Sequence, residues 1–300
     1  MKQILPEIPR PLPVVIDTDP AAGFYLRDID DVLAILFMMA SPEVRVDALT
    51  VTFGNASLKK TFEVARRTRA FSNTPDIPVL SGASSWRALG RRTPAVDFII
   101  EYFREHKGRA VLLALGPLTN VATALMIEPR LVDWIPAAVI MGGNMGTLKS
   151  FGPLAGLEFN FAVNAKAAEI VLASQLNKWL ATMDLCVQAR FGMRVLKKLR
   201  ELNPHCAADR LCDFETWIRF NSMVFGKGGF YPWDPVAGAM LIEPDLFDDV
   251  EELPLTMANK GIFRRTLISD GKDGRTPCKI PMKLKGQEFT DLLIKRLSTI

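Results

Sequence analysis

Five aspartates lie close together near the start of the chain, in the stretches VVIDTDP and DIDDVLAIL; they are Asp17, Asp19, Asp28, Asp30 and Asp31. Carboxylates a few ångströms apart raise one another's pKa unless a cation neutralises them. Oxygen ligands with no His or Cys nearby suit a hard divalent cation better than zinc. The cluster therefore predicts a metal site, although one or two of these aspartates could instead only cap the following helix.

Two glycine-containing turns follow predicted strands further along the chain. In ALGPLTNVATAL, Gly116 and Pro117 make a tight turn that exposes backbone carbonyls, including that of Thr119. In VIMGGNMG, Gly142 and Gly143 let the backbone approach a ligand closely. Each turn taken alone is also what an ordinary strand-to-helix connection shows.

Polar side chains stand just before two further predicted helices. In GLEFNFAVNAKAAEIV, Glu158 and Asn160 suit the hydroxyls of a sugar, whereas we interpret Asn164 as the N-cap of the next helix. In YPWDPVAGAM, Trp233 and Asp234 precede an apolar helix. An N-cap aspartate followed by proline would by itself explain this second motif.

Short β-branched runs alternate with longer helical stretches, which is typical of a parallel sheet with helices on both faces. The predicted strands are Val14–Asp17, Val46–Phe53, Ala110–Ala114, Ala137–Met141 and Trp179–Met183, and the predicted helices are Asp31–Ala40, Ser57–Phe71, Leu118–Ile127, Ala165–Ala173 and Asp234–Leu241. The predicted fold class is α/β, with an open, mostly parallel twisted sheet. Because the carboxyl ends of such strands carry the ligand crevice, the motifs should meet at one edge.

Residues 1–300 show no convincing boundary and predict a single domain, with a mostly helical cap within 191–230. After about residue 253 we expect one or two strands and a final helix, Glu288–Leu297.

Composition argues against several classes of partner. Lys and Arg number 37 against 33 Asp and Glu, and this small, dispersed excess favours no nucleic-acid partner. Four cysteines without CxxC spacing predict reduced thiols. The N-terminus lacks a signal-peptide core, and VLAILFMMA is too short to span a bilayer, so we expect a cytoplasmic protein with no membrane partner.

Taken in order, these motifs resemble the nucleoside hydrolase family, of the inosine–uridine preferring type and its purine-specific relatives. That family opens with DxDPGxDD after a strand; here Asp17-Thr-Asp19-Pro20 precedes a longer loop and then Asp30-Asp31. GPLTN, MGG, EFN and the late DP follow in the family's order, over roughly residues 14–245.

The resemblance implies calcium-dependent hydrolysis of a ribonucleoside to ribose and free base, on an open α/β sheet, by a homodimer or homotetramer. It implies that Ca²⁺ is held by Asp19, Asp31, Asp234 and the Thr119 carbonyl, with Asp19 also the general base. It also implies a substrate-binding set that holds the ribose hydroxyls or packs on the nucleoside: Asp30, Asn55, Glu158, Asn160, Met141 and Asn144.

The chain departs from the family's pattern in its first loop, where PAAGFYLRDIDD replaces the tight PGxDD turn. The extra segment could fold over the crevice as a flap, with Gly23 as hinge and Phe24 and Tyr25 on the base. It could equally displace Asp30 and Asp31 from the metal. We expect retained geometry, because a longer loop can bulge outward while its ends stay anchored.

A second departure is Trp233, which stands where the inosine–uridine group usually has a histidine that protonates the leaving base. The purine-specific group resembles this chain in having Trp there, and Trp86 matches its second stacking aromatic. The resemblance therefore predicts a purine preference, with the base between the two indoles. The alternative is that both are core or interface residues, because Trp is mostly buried.

Two other functions stay open from the sequence. A DxD after the first strand also occurs in haloacid-dehalogenase-type phosphatases, where Asp17 would be the nucleophile, Asp19 the acid/base and Mg²⁺ the ion. That class does not explain GPLTN or EFN. A non-catalytic nucleoside- or ribose-binding homologue is the other alternative.

Overall fold

The computed structural model describes residues 8–23, 27–71, 76–145, 158–225, 228–258, 267–269 and 275–300. Within these ranges the strands are β1 (Leu12–Thr18), β2 (Val44–Val51), β3 (Val79–Ser81), β4 (Val111–Ala114), β5 (Ala138–Met141), β6 (Lys178–Ala181), β7 (Phe247–Leu253), β8 (Leu255–Met257), β9 (Leu267–Ser269) and β10 (Cys278–Leu284).

The helices in the described part of the chain are α1 (Asp30–Met39), α2 (Leu58–Arg69), α3 (Pro94–Glu105), α4 (Thr119–Ile127), α5 (Leu131–Trp134), α6 (Phe159–Val163), α7 (Ala165–Ala173), α8 (Met183–Cys186), α9 (Met193–Leu202), α10 (Ala207–Leu211), α11 (Phe214–Phe225), α12 (Trp233–Ile242) and α13 (Gly286–Leu297). Each of these described helices is too short to cross a bilayer.

The main sheet has eight strands in the order β3-β2-β1-β4-β5-β6-β10-β7. All neighbouring strands pair in parallel except β7, which is antiparallel to β10. This confirms the predicted α/β class and its mostly parallel sheet. The chain builds outward from β1 through β2 to β3 and then returns to the other side of β1 for β4. The gap between the loops after β1 and β4 is therefore a topological switch point, the usual place for a ligand crevice.

Helices cover both faces of the sheet, because strands buried on both sides must bury apolar residues in both directions. Along β1, Val14 and Ile16 join a cluster with α1, α12 and α13, whereas Val15 joins a cluster with α3, α4 and α7. This alternation is the period of two expected of a strand. Polar residues replace the apolar ones at the carboxyl end of β1, where Asp17, Thr18 and Asp19 are buried.

The predicted elements appear with their ends shifted by at most two residues. The predicted strand Val46–Phe53 is β2 at Val44–Val51, and the predicted cap is helical, as α9, α10 and α11. After about residue 253 the described chain contains three strands, β8, β9 and β10, where one or two were expected.

The sequence analysis missed β3 and α3. The N-terminus of α3 nevertheless carries a recognisable signal: Thr93 accepts a hydrogen bond from the Val96 N–H at 3.3 Å, and Pro94 occupies the first helical position. Whether the chain is one domain stays a prediction.

Candidate active site

Two helices bring their N-termini to the end of β1. Asp30 and Asp31 open α1, and Asp234 is the second residue of α12. The helices lie close together, since a Cβ atom on Gly238 of α12 would be 3.0 Å from the sulfur of Met38 on α1. The Asp234 N–H donates to Asp30 Oδ2 at 3.3 Å, which joins the two N-termini. The positive ends of both helix dipoles therefore face these carboxylates and favour their charged forms.

Asp30, Asp31 and Asp234 are all buried, and each offers an oxygen within 4.8 Å of the other two. Three converging carboxylates are a donor set for a hard cation. The sequence predicted Asp19, Asp31 and Asp234 as the acidic ligands. The described residues place Asp30, expected on the ribose, with the other two acids, and Asp19 stands beside this group.

Asp19 is fully buried immediately after β1. Its Oδ2 accepts a hydrogen bond from the Asn55 N–H at 2.5 Å, whereas its Oδ1 is buried and has no hydrogen-bond partner among the described residues. Its own N–H donates to Asp31 Oδ1 at 3.0 Å, and the Thr18 hydroxyl donates to the same oxygen. Because a buried carboxylate oxygen without a partner is costly, this atom points to a cation or a proton-bearing ligand.

Burial is the main cause of strongly shifted acidities here. It raises the pKa of Asp19, Asp30 and Asp234 well above the usual value, and neighbouring carboxylates raise each further. Burial raises the pKa of Asp31 to about 6, although hydrogen bonds from Thr18, Asp19 and Asn55 oppose the shift. A divalent cation would offset both the desolvation and the repulsion, so the residues fit the metal that the sequence predicted.

Asn55 connects two of these acids. Its backbone N–H bonds Asp19, and its Nδ2 donates to Asp31 Oδ2 at 3.0 Å. The sequence analysis placed Asn55 on a ribose hydroxyl, and the structure adds this bracing contact to that prediction.

A second polar layer lies beneath Asp19 and was missed by sequence reasoning. Asp17 Oδ1 accepts hydrogen bonds from Thr50 Oγ1 at 2.7 Å and Asn120 Nδ2 at 2.8 Å. Asn120 Oδ1 in turn accepts the Ala83 N–H at 2.8 Å. Asn120 is the last residue of GPLTN, so the motif itself carried the available signal. Burial raises the pKa of Asp17 to about 7.

Thr119 is buried at the first position of α4. Its carbonyl accepts a hydrogen bond from Thr123 Oγ1 at 2.7 Å. Its Oγ1 accepts a hydrogen bond from Asn164 Nδ2 at 2.9 Å. Asn164 also accepts the Ala167 N–H at 3.2 Å, which is the N-cap that the sequence predicted.

Glu158 caps α6 and is buried at the end of β5. Its carboxylate accepts three backbone N–H groups, from Gly143 at 2.9 Å, Asn160 at 2.6 Å and Phe161 at 2.9 Å. Burial raises the pKa of Glu158, while these three hydrogen bonds oppose that shift. The carboxylate expected on the sugar therefore also links the backbone after β5, at Gly143, to the start of α6.

Asn160 joins two strand ends, because its Nδ2 donates to the Leu115 carbonyl at 2.6 Å and to the Met141 carbonyl at 3.3 Å. Met141 ends β5, and both Met141 and Asn144 are buried at this edge. The room at Gly142, expected to serve a ligand, is filled by Phe161, since a Cβ atom on Gly142 would overlap that ring.

The two indoles of the predicted base sandwich lie in different environments. Trp233 is half-buried at the start of α12, with its ring centroid 5.1 Å from that of Tyr231. Trp86 is 56% exposed in a 3₁₀ turn, Trp86–Ala88, after β3, and the Arg87 guanidinium lies 5.0 Å from its ring. A role for Trp86 as a core residue is therefore ruled out.

Both histidines lie elsewhere in the fold. His106 follows α3 and stacks on Tyr102 at 4.2 Å, and His205 is exposed between α9 and α10. Of the proposed flap, Gly23 has a φ of 86°, in the left-handed region that favours glycine. Phe24 and Tyr25 lie outside the described residues.

Residues 14–291 match the family model described as inosine-uridine preferring nucleoside hydrolase. The chain is 31% identical over 320 residues to the pyrimidine-specific ribonucleoside hydrolase RihA of Klebsiella pneumoniae subsp. pneumoniae, with 96% of this chain and 98% of that protein covered. It is 32% identical over 321 residues to RihA of Escherichia coli O1:K1 / APEC, with 95% and 98% covered.

Solved structures with the same fold include the plant nucleoside hydrolase PpNRh1, with a TM-score of 0.83, 23% identity, and 97% of this chain and 100% of that chain covered. The purine-preferring ribonucleoside hydrolase from Gardnerella vaginalis has a TM-score of 0.82, 23% identity, and 96% and 98% covered. Because the family match spans most of the sequence, the chain belongs to the nucleoside hydrolase family, whose members are metal-dependent ribonucleoside N-glycosidases.

Proposed function

We propose that this chain hydrolyses the N-glycosidic bond of purine ribonucleosides, with Ca²⁺ as its metal ion. The observation that carries the proposal is the convergence of Asp30, Asp31 and Asp234 within 4.8 Å, next to an Asp19 oxygen that no described residue hydrogen-bonds. The family assignment removes the basis of the phosphatase alternative.

Calcium suits the donors better than a smaller ion. It accepts six to eight oxygens in flexible geometry, whereas Mg²⁺ demands near-ideal octahedral geometry and keeps several waters. Asp30, Asp31 and Asp234 supply carboxylates, and Asp19 and the Thr119 carbonyl stand as further donors. When bound, the cation supplies positive charge that orients water and ribose hydroxyls and favours deprotonation of water.

Asp19 acts as the general base in this proposal. Departure of the base leaves a ribosyl cation with oxocarbenium character, which water must attack. Asp19 Oδ1 takes the proton of that water, because it is the oxygen of this carboxylate to which no residue in the described part of the chain donates a hydrogen bond. The Asn55 N–H stays on Oδ2 and keeps the second oxygen fixed during the transfer.

In this proposal the ribose is held by side chains that hydrogen bonds to other protein groups keep in place. Asn55 is braced by Asp31, and Asn160 by the strand-end carbonyls of Leu115 and Met141. Glu158 accepts three backbone N–H groups and keeps one lone pair, on Oε1, for a sugar hydroxyl. Met141 packs on the sugar and Asn144 contacts the substrate. Such prior fixation reduces the ordering cost of binding and catalysis.

The purine preference rests on Trp233, the half-buried residue that immediately precedes Asp234 at the N-terminus of α12, whose ring lies 5.1 Å from that of Tyr231. Stacking of the base on this indole makes protonation of the leaving group easier, in a site where neither histidine is placed to supply a proton. In the same proposal, Trp86 stacks on the opposite face of the base. The RihA relatives carry the name pyrimidine-specific, and the Gardnerella protein the name purine-preferring, so the two names make opposite predictions.

A reducing-sugar assay tests all three parts of the proposal. The purified chain is assayed with inosine, guanosine, uridine and cytidine, first with Ca²⁺ and then after EDTA treatment and re-addition of Ca²⁺ or Mg²⁺. We expect ribose release that EDTA abolishes, that Ca²⁺ restores best, and that is faster for purines. Faster release from pyrimidines would refute the stacking account, and binding without any ribose release would favour the non-catalytic homologue.

Asp19→Ala is the matching variant, because it removes the proposed base but none of the three gathered carboxylates. We expect it to abolish turnover, and near-normal turnover would exclude Asp19 as the base. The homodimer or homotetramer stays a prediction that light scattering of the purified chain can test.

A further inference from the structure

Two glycines from different loops enclose the Asp19 carboxylate. Gly54 follows β2 and Gly116 follows β4, the strands on either side of β1. A Cβ atom on Gly54 would overlap Asp19 Oδ2 and lie 2.9 Å from its Cγ. A Cβ atom on Gly116 would lie 2.5 Å from Asp19 Oδ1. Non-bonded heavy atoms prefer separations of about 3.5–4.0 Å, so neither position has room for a side chain while Asp19 keeps its place.

Backbone conformation does not explain these two glycines. Neither Gly54 nor Gly116 has a φ between +20° and +160°, in contrast to Gly23 or Gly143. An L-residue can therefore adopt the same backbone angles without strain. The space taken by Asp19 remains as the reason why both residues are glycine.

Among the described residues, hydrogen bonding holds one oxygen of this carboxylate and not the other. Oδ2 accepts the Asn55 N–H, and Oδ1 has no partner within those residues. The torsion that turns a carboxylate is broad and weakly restricted by itself. A new methyl group has little room to move aside. A Cβ atom on Gly54 would also lie 2.9 Å from Pro117 Cδ, and one on Gly116 would lie 3.1 Å from Thr52 Cγ2.

We propose that Gly54 and Gly116 are positioning residues that hold the Asp19 carboxylate in a single orientation for proton transfer. The catalytic part rests on the proposed function; the steric part does not. A methyl group at either position displaces the carboxylate, and a misplacement of about 1 Å can lower a catalytic rate about 100-fold. We therefore expect kcat to fall about 100-fold with KM changed less than about threefold, because substrate binding uses other residues.

The steric part is tested by thermal unfolding without any substrate. Gly116→Ala is made in the wild-type chain and in the Asp19→Ala chain. If the new methyl meets the carboxylate, Gly116→Ala lowers Tm clearly more in the wild-type background than in Asp19→Ala. Equal losses in the two backgrounds overturn the proposal. If the single variant does not fold, recovery of folding in the Asp19→Ala background supports the proposal, and failure in both overturns it.

Gly286→Ala is the matched control for the steric change. Its Cβ atom would overlap the Gln188 carbonyl oxygen at the start of α13, which is a comparable clash away from Asp19. We expect Gly286→Ala to lower Tm equally in both backgrounds and to leave kcat within about threefold of wild type.

The catalytic part is tested by the kinetics of Gly54→Ala and Gly116→Ala with the nucleoside that the wild type hydrolyses best. A kcat within about threefold of wild type for both folded variants overturns the positioning role. A wild-type chain that hydrolyses no nucleoside refutes the proposed function instead, and the Tm comparison still decides whether the glycines accommodate Asp19.

Discussion

Removing divalent cations and raising the pH should destabilise this protein, because its acidic site is buried. Burial raises the pKa of Asp31 to about 6 and that of Asp17 to about 7, from 3.8 for a free aspartate. A carboxyl with a higher pKa in the folded chain binds more protons folded than unfolded. Its contribution to stability is therefore present below pH 3.8 and is lost as the pH rises through the folded pKa.

Asp31 and Asp17 set a lower bound on the loss between pH 5 and pH 8, because Asp19, Asp30 and Asp234 also have raised pKa values and add losses of the same sign. Above pH 5, the contribution of Asp31 to the unfolding free energy keeps falling for about one pH unit, and that of Asp17 for about two. At about 1.4 kcal/mol per pH unit, the combined loss of unfolding free energy is about 4 kcal/mol. For a chain of 300 residues this corresponds to a fall in Tm of about 6 °C in the metal-free protein.

Calcium should reverse most of this loss, since a nearby cation favours the charged carboxylates. The assay is thermal unfolding followed by circular dichroism at pH 5, 6, 7 and 8, with EDTA or with saturating Ca²⁺. We expect the Ca²⁺-dependent rise in Tm to be larger at pH 8 than at pH 5. A metal-free Tm that stays flat or rises from pH 5 to pH 8 would refute the reasoning, as would an equal effect of Ca²⁺ at both pH values.

Asp31→Asn provides the internal control for this experiment. The amide does not titrate, so the stability of the metal-free variant should fall less steeply between pH 5 and pH 6 than that of the wild type, by about 1 kcal/mol. Asp133→Asn, at an exposed position on α5, should leave the pH dependence unchanged.

Three further substitutions test individual contacts. Asp234→Asn removes one of the three gathered carboxylates, so calorimetry should show Ca²⁺ affinity at least about tenfold lower, and an unchanged affinity would exclude Asp234 as a ligand. Glu158→Gln turns an amide N–H toward backbone N–H groups and should cost about 1–3 kcal/mol in urea unfolding; a cost below about 0.5 kcal/mol would contradict the capping role. Asn120→Ala removes a hydrogen-bond donor to Asp17 and an acceptor of the Ala83 N–H, so we expect a similar 1–3 kcal/mol loss, and an unchanged urea midpoint would show that this layer adds no stability.

The sequence by itself determined the class of fold and most of its elements. Periodicity locates a strand or helix because side chains repeat every two or 3.6 residues, and cap residues mark ends through local hydrogen bonds. Asn164 at the start of α7 shows this well, since its cap bond to Ala167 is a local contact. The sequence also determined that the early aspartates needed a partner of opposite charge, because their spacing alone brings them close together.

The tertiary structure decided which residues meet. Asp234 reaches Asp30 across 204 positions, and Asn120 reaches Asp17 across 103, because the strand order places their loops at one edge. No local pattern encodes such a distance. For the same reason, the sequence could not show that Phe161 fills the room at Gly142, or that Gly54 and Gly116 leave their space to Asp19. A missing side chain is visible in a sequence, whereas the atom that occupies its space comes from a distant part of the chain.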